Sequence, residues 1–304
     1  MLKKIVSYII HPSKILIFLV SKNIVKMDDR KYLKIRYKSI LGKKLNIENP
    51  KTFNEKLQWL KIYDRKDIYT KMADKNLAKI FVKDKIGEEY IIPTIGVYNN
   101  YDEIDFSLLP ESFVMKCTHD SGGVLVVSDK SKFIPERYEK CFKKALSKNF
   151  FYEAREWPYK NIEPKIIVEK YMGNDLTDYR FYCFNGKVKM IYQYLNQSQY
   201  DGSKPEPTYC NIYDEDWNIL PFRQAYAPSK KKYDKPIECD KMIELSEILS
   251  SNTKFLRVDF YIIDGKVYFG ELTFYPGGGM SRFYPDEADL EVGKLLNLGD
   301  KNEK

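Results

Sequence analysis

The sequence is poor in histidine, has no close cysteine pair and lacks any long apolar run, and each shortage removes a class of protein. Its five cysteines, Cys117, Cys141, Cys183, Cys210 and Cys239, are odd in number and widely spaced, with only His11 and His119 beside them. Neither a disulfide framework nor a structural zinc site is expected from such a set. The apolar runs at 5–10 and 15–20 are separated by His11-Pro12-Ser13-Lys14, and neither approaches the ~20 residues that span a bilayer. Ser21-Lys22-Asn23 does not supply the small-residue cleavage site of a secretory signal, so a cytoplasmic protein is expected. Repeats, Gly/Ser linkers and low-complexity stretches are absent too. What remains is a chain of 304 residues, 43% hydrophobic and 31% charged, able to bury a large core. Since single cores stop growing beyond ~250–300 residues, one composite domain or two lobes sharing a cleft is expected.

The charge is unevenly spread. Residues 1–66 carry 17 lysines and arginines against 5 acidic residues, whereas the whole chain is +8, so the rear is net acidic. A basic front end points to an anionic partner: a phospholipid surface, a nucleic acid or an acidic sugar. Two readings of the N-terminus stay open, an amphipathic segment lying on a membrane interface and a helix packed on the body with its lysines in water. Nucleic acid is the least expected partner, because no recognition motif accompanies the charge.

Local signals predict an α+β chain, mostly antiparallel, with helices covering sheets. Thr52-Phe53-Asn54-Glu55 reads as a capping box opening a helix to about Tyr63, and a second helix is expected over 67–84. Strands are expected at Ser112–Cys117 and Val124–Ser128, then a helix over 134–149 and a strand at Lys165–Met172. Asn185-Gly186 predicts a hairpin joining Tyr179–Phe184 to Lys187–Leu195. Beyond a loop over 201–236, a helix over 238–250 precedes a last hairpin, Phe255–Ile262 with Val267–Phe274.

Three segments carry chemistry. In Lys116-Cys117-Thr118-His119-Asp120-Ser121-Gly122-Gly123, a lysine ending an apolar strand and a small flexible loop can surround a phosphate chain with an ammonium and backbone N–H groups. Alone, Ser-Gly-Gly also reads as an ordinary turn. The strand Ile166–Lys170, running into Tyr171-Met172, can offer its edge to an adenine flanked by Tyr171 and Met172, with Glu169 or Lys170 on the polar edge. The third segment is the strongest: Arg257-Val258-Asp259 with Glu271-Leu272-Thr273 supplies hard carboxylates for magnesium and a cation to offset moving charge. A two-residue turn at Asp264-Gly265 would put Asp259 and Glu271 on opposite faces, so a three-residue bulged loop with left-handed Gly265 is expected, bringing Arg257, Asp259, Glu271 and Thr273 to one face. Tyr275-Pro276-Gly277-Gly278-Gly279-Met280-Ser281-Arg282 follows, with N–H groups suited to an oxyanion and Ser281 and Arg282 placed for a substrate carboxylate. Flexible punctuation is the competing account of those glycines.

Taken together and in this order, these elements resemble the ATP-grasp superfamily, and more closely its TupA-like branch, over about residues 30–298. Asn49-Pro50-Lys51-Thr52-Phe53-Asn54-Glu55-Lys56-Leu57-Gln58-Trp59-Leu60 and the Asp74-Lys75 helix belong to the match. The resemblance implies an ATP-grasp α+β fold in which two lobes with antiparallel sheets grip ATP. Its parts would be a basic N-terminal region (1–50), an N-terminal lobe (51–112), a central lobe (113–170) and a C-terminal lobe with the metal site (171–304). By the same resemblance, Lys116 meets the α- and β-phosphates, and Ser121, Gly122 and Gly123 form the lid loop. Glu169, Lys170, Tyr171 and Met172 make the adenine hinge, and Asp178, or in its place Asp175, meets the ribose. Arg257 lies near the γ-phosphate, Asp259 and Glu271 are magnesium ligands, and Thr273 stands where many relatives have asparagine. A hydroxyl is a poorer metal ligand than an amide oxygen, which bears on a second magnesium.

The implied reaction is ATP-dependent joining of a carboxylate to an amine through an acyl phosphate, with Lys116, Arg257 and Arg282 as catalytic residues and ATP and Mg2+ as cofactors. For this branch the carboxylate would be a uronic acid on an acidic polysaccharide or a lipid- or nucleotide-linked sugar, and the amine an amino acid, in cell-surface polysaccharide synthesis. The rival readings are a nucleotide-sugar glycosyltransferase, for which the sequence offers only Asp214-Glu215-Asp216, and a glycan-binding module without turnover.

Overall fold

The computed structural model describes residues 12–120, 123–173, 177–195 and 208–299. Within them no helix is long and apolar enough to cross a membrane, and the apolar run at 5–10 lies outside them. Helix α1 (Pro12–Ser21) packs on α2 (Asp29–Leu41), whose first turn is capped by Asp28 accepting from the Lys31 N–H (3.1 Å). Helix α3 (Phe53–Tyr63) opens with the capping box expected: Thr52 Oγ1 accepts from Glu55 N (3.3 Å) and Glu55 Oε2 from Thr52 N (3.2 Å). The helix expected over 67–84 is two, α4 (Asp67–Ala73) and α5 (Lys75–Ile86). Asp74 breaks it by leaving helical backbone angles and accepting from the N–H groups of Asn76 and Leu77, both at 2.8 Å. A short carboxylate serves orphan amides at a helix start better than it extends a helix interior.

Two antiparallel sheets follow, confirming the α+β class. The first has the order β1-β4-β2-β3, built from β1 (Thr94–Tyr98), β2 (Phe113–Cys117), β3 (Leu125–Val127) and β4 (Ile166–Lys170). Helices α6 (Glu136–Leu146) and α7 (Phe151–Ala154) lie between β3 and β4 in the chain. The second has the order β7-β6-β5-β8-β9, from β5 (Thr177–Phe184), β6 (Lys187–Leu195), β7 (Tyr209–Tyr213), β8 (Phe255–Ile263) and β9 (Lys266–Thr273). Helix α8 (Cys239–Ser250) precedes β8 and α9 (Ala288–Lys294) follows β9. Each sheet has its own core. Phe113, Met115, Phe142, Ile166 and Val168 pack with Tyr101 in the first, while Phe181, Leu256, Val258 and Phe260 share the second with residues of α3, α4, α5 and α8.

The last hairpin departs from expectation in an instructive way. Its turn is the two-residue Asp264-Gly265, both left-handed (φ 50° and 69°), and Phe260 pairs with Phe269 and Ile263 with Lys266. That register alone would divide Asp259 from Glu271. The register shifts between Asp259 and Phe260, however, so that Asp259 pairs with Glu271 and Arg257 with Thr273. Gly270 is the extra residue of this bulge. The shared face is therefore as expected, but a mid-strand bulge creates it where a longer turn was expected. A Cβ at Gly270 would lie 3.0 Å from the Tyr261 ring and 3.2 Å from the Asp259 carbonyl. Gly270→Ala is expected to cost about 1–3 kcal/mol of stability by chemical denaturation, as overpacking against a fixed backbone does; an unchanged midpoint would show that the ring yields.

Candidate functional site

Alternate residues of a strand share a face. Pairing of β5 with β8 sets Asp178 opposite Tyr261, Arg180 opposite Asp259 and Tyr182 opposite Arg257, and β9 adds Glu271 and Thr273. Arg257 donates from Nε and Nη2 to both oxygens of Asp259 (2.7 and 2.6 Å), and Nη2 reaches Glu271 Oε2 at 3.5 Å. Arg180 donates twice to Asp178 Oδ2 (2.9 and 2.7 Å), lies 3.7 Å from Asp259 Oδ2 and covers the Tyr194 ring at 4.0 Å. The sequence reading missed Arg180; its spacing of two from Asp178 on a strand was the available signal.

Burial pushes the Asp259 carboxyl up to about 7, against the pull of Arg257 and Arg180. Burial acts on Glu271 as well, but Arg257, Lys75, Arg180 and Lys116 outweigh it and hold that carboxyl below its ordinary value. Lys116 belongs to β2, and Lys75 opens α5, where its N–H donates to Thr118 O just beyond β2 (3.0 Å).

On the first sheet, Val114 pairs with Glu169 and Lys116 with Ile167, which puts Lys116 and Glu169 diagonally on one face. One Glu169 oxygen takes the Lys116 ammonium and the other takes Lys79 of α5. Lys79 also donates to Ile92 O (2.8 Å) and Thr94 Oγ1 (3.0 Å). Burial raises the Glu169 carboxyl, yet the two lysines prevail and hold it below the usual glutamate range. Lys79 is the other residue sequence reasoning missed, since nothing in a helical pattern marks one lysine among many as buried.

The remaining candidates are spread more widely. Lys170 ends β4 exposed, with half-buried Tyr171 and Met172 beyond it, and Gly123 is left-handed at φ 67°. Ser121, Gly122 and Asp175 lie outside the described residues. Arg282 donates to Ile40 O (3.1 Å), beside a recess lined by Leu41, Lys43, Asn54, Asp286 and Asp289; among the described residues no hydrogen bond or ion pair joins it to Arg257, Asp259 or Glu271. Asp214-Glu215-Asp216 forms a turn in which Asp214 Oδ1 accepts from Asp216 N (3.0 Å) and Asn218 N (2.8 Å), with Glu215 bound to Lys189.

Among the described residues, no group of three or more His, Cys, Asp or Glu is arranged to hold a metal ion alone. Magnesium does not need one, because it is commonly held by one or two carboxylates together with phosphate oxygens. Asp259 and Glu271 fit that pattern, and Thr273 Oγ1 beside them is buried without a hydrogen-bond partner, as is Asp178 Oδ1.

The chain is an ATP-grasp protein, one of its antiparallel sheets presenting a lysine–glutamate pair and the other an arginine–carboxylate set. Within that class the chain belongs to the TupA-like ATP-grasp family, whose model matches residues 55–297. Solved structures similar to it include the D-alanine–D-alanine ligase of Bacillus anthracis, with 18% identity, a TM-score of 0.42, and 74% of this chain and 64% of that one covered. The Helicobacter pylori D-alanine–D-alanine ligase gives 17%, 0.39, 81% and 69%, and the L-amino acid ligase of Bacillus licheniformis 13%, 0.42, 68% and 44%. This chain thus spans less than two thirds of the length of the first and third of these enzymes. No curated protein matches it.

Proposed function

We propose that the protein is an ATP-dependent ligase that joins a carboxylate to an amine through an acyl phosphate, with the nucleotide between the two sheets. The observation that carries this reading is that α5 links the two sheets: it packs on β9, and its first residue, Lys75, donates from N to Thr118 O (3.0 Å) and from Nζ to Asp120 O in the loop that follows Lys116. Lys116 neutralises the α- and β-phosphates, and Arg257, now spanning Asp259 and Glu271, offsets charge at the γ-phosphate as it transfers. Glu169, Lys170, Tyr171 and Met172 frame the adenine, Asp178 meets the ribose, and Ser121 to Gly123 close over the triphosphate. Asp259, Glu271 and Thr273 would hold magnesium, which would supply charge neutralisation at the phosphate oxygens. The acceptor carboxylate attacks the γ-phosphorus, ADP leaves, and the amine then displaces phosphate from the acyl carbon. Gly277 to Gly279, Ser281 and Arg282 form the acceptor side, with the N–H groups of Gly277 and Gly279 offered to the developing oxyanion.

The acceptor we assign is a uronic-acid carboxylate on an acidic glycan or a lipid- or nucleotide-linked sugar, and the amine an amino acid, in cell-surface polysaccharide synthesis. The basic front end supports this, and it also supports a cytoplasmic protein resting on the inner face of the membrane. Exposed Ile15 and Ile24 are accompanied there by exposed Lys22 and Lys26.

Calorimetry is expected to show magnesium-dependent binding of ATP in preference to UDP and UDP-sugars. ADP release is expected only when a uronate and an amine are both present. Release that needs neither, or a preference for UDP, would overturn the reading, the latter in favour of a glycosyltransferase.

A further inference from the structure

Asn54, Gln58 and Lys61 are spaced four and three residues apart, so they form one stripe along α3. A polar stripe on a helix ordinarily faces water, yet these side chains are only 2%, 0% and 0% exposed. Nearly all their partners are backbone groups of one loop, the segment that follows β9. Asn54 Nδ2 donates to Ser281 O (2.8 Å), and its Oδ1 accepts from Ser281 N (3.0 Å). Gln58 Nε2 donates to Gly279 O (2.6 Å) and Gly278 O (3.3 Å), leaving Gln58 Oε1 buried and unpartnered. Lys61 Nζ donates to Gly278 O (2.7 Å) and Ala154 O (2.9 Å) and lies over the Tyr275 ring at 5.4 Å.

The loop in turn is shaped to receive α3. Gly277, Gly278 and Gly279 are all left-handed, and a Cβ on Gly279 would fall 2.5 Å from Gln58 Nε2 and 2.8 Å from Leu57 Cβ. Burying an ammonium is a costly way to fill a helix contact that leucine or methionine could make. Burial drives Lys61 down to about 7 and its neighbour Glu156 up to about 7; Arg36 is the other charge acting on Lys61, and Arg36, Glu153 and Glu271 act on Glu156. Glu156 Oε1 would lie 3.6 Å from a Cβ on Gly278, so the pair sits directly beneath the loop.

We propose that the Asn54, Gln58 and Lys61 stripe of α3 is the positioning element of the reaction centre, a template that holds the Tyr275–Arg282 loop in its working conformation. The peptide plane links the two sides of that loop. With the Gly278 carbonyl turned to Lys61 and Gln58, the Gly279 N–H of the same trans peptide points away from α3. This rests on the reading above, in which the loop receives the acceptor. Lys61 and Gln58 are positioning residues, acting through the loop backbone.

The test compares the full chain with Lys61→Met, Gln58→Leu and, as a control on the same helix, Lys56→Met. Lys56 also donates to two carbonyls, of Gly293 (2.8 Å) and Leu296 (2.6 Å), but these lie at the end of α9. For the carboxylate and amine pair that supports ADP release, Lys61→Met and Gln58→Leu are expected to raise the acceptor KM about tenfold or more, the size of a lost charge-assisted or buried hydrogen bond. Their Mg·ATP affinity and binding stoichiometry by calorimetry should stay at wild type, which a loss of folded protein could not mimic. Hydrogen exchange of the 275–282 amides should quicken in both variants and not in Lys56→Met. Wild-type KM and exchange in Lys61→Met and Gln58→Leu, or an equal rise in Lys56→Met, would overturn the proposal. Should the wild type release no ADP with any carboxylate and amine, the ligase reading fails, and the exchange comparison alone decides whether α3 sets the loop.

Discussion

Asp259→Asn is expected to cut ATP turnover by about a hundredfold or more while leaving the fold intact, because it removes a formal charge from the set proposed to face the phosphates without changing its shape. The neutral amide relieves the burial cost that raises the Asp259 carboxyl, but it also sets an NH2 against one Arg257 donor and removes that guanidinium's bidentate counter-charge. Arg257 keeps Glu271 at 3.5 Å, and Arg180 keeps both its bonds to Asp178. The thermal midpoint should therefore fall, with a cooperative folded state retained. Calorimetry should show ATP binding that no longer strengthens with magnesium, and coupled ADP release should fall away. Wild-type turnover in this variant would sink the placement of the reaction on the β8–β9 hairpin, and loss of the folded state would show that Asp259 serves the sheet first.

Much of this was legible in the residues, though not always for the right reason. The capping box at Thr52, the Asn185-Gly186 hairpin and the strand positions follow from short-range rules, which depend on neighbours a few residues away. The shared face of Asp259 and Glu271 was expected too, but the reasoning assigned the needed frameshift to the turn, whereas Gly270 provides it inside β9. One inserted residue has the same effect on parity wherever it falls, and sequence alone does not locate it. The break at Asp74 was missed because a capping signal competes only locally and was not weighed against the one helix expected over 67–84. Lys61 and Lys79 were illegible for a different reason. Whether a long cation is buried depends on partners far along the chain: Lys61 meets Gly278, 217 positions away, and Lys79 meets Glu169 across two elements.

That last contact gives the second large effect. Glu169 is 4% exposed and stands between Lys79 and Lys116, with each oxygen given to one ammonium. Glu169→Gln keeps the size of the side chain but supplies an amide NH2 where one oxygen was, so at least one lysine faces a donor and both lose their counter-charge. Breaking a buried pair by removing one partner costs about 3–5 kcal/mol, chiefly through the uncompensated charge left behind. Lys79 is the more exposed to this loss, since burial already drives its ammonium below the ordinary lysine value and Glu169 is what holds it up. The pH dependence has a definite sign. Because the folded carboxyl titrates below its unfolded value of about 4.3, its contribution is complete above that pH and is lost as the pH falls through the lower, folded value. Urea denaturation should therefore show a wide gap between wild type and Glu169→Gln at neutral pH and a narrow one in strong acid. Equal stability at neutral pH would mean that Lys79 and Lys116 find water or other acceptors at little cost, and that the lysine–glutamate cluster is not what fixes the Lys116 ammonium on the first sheet.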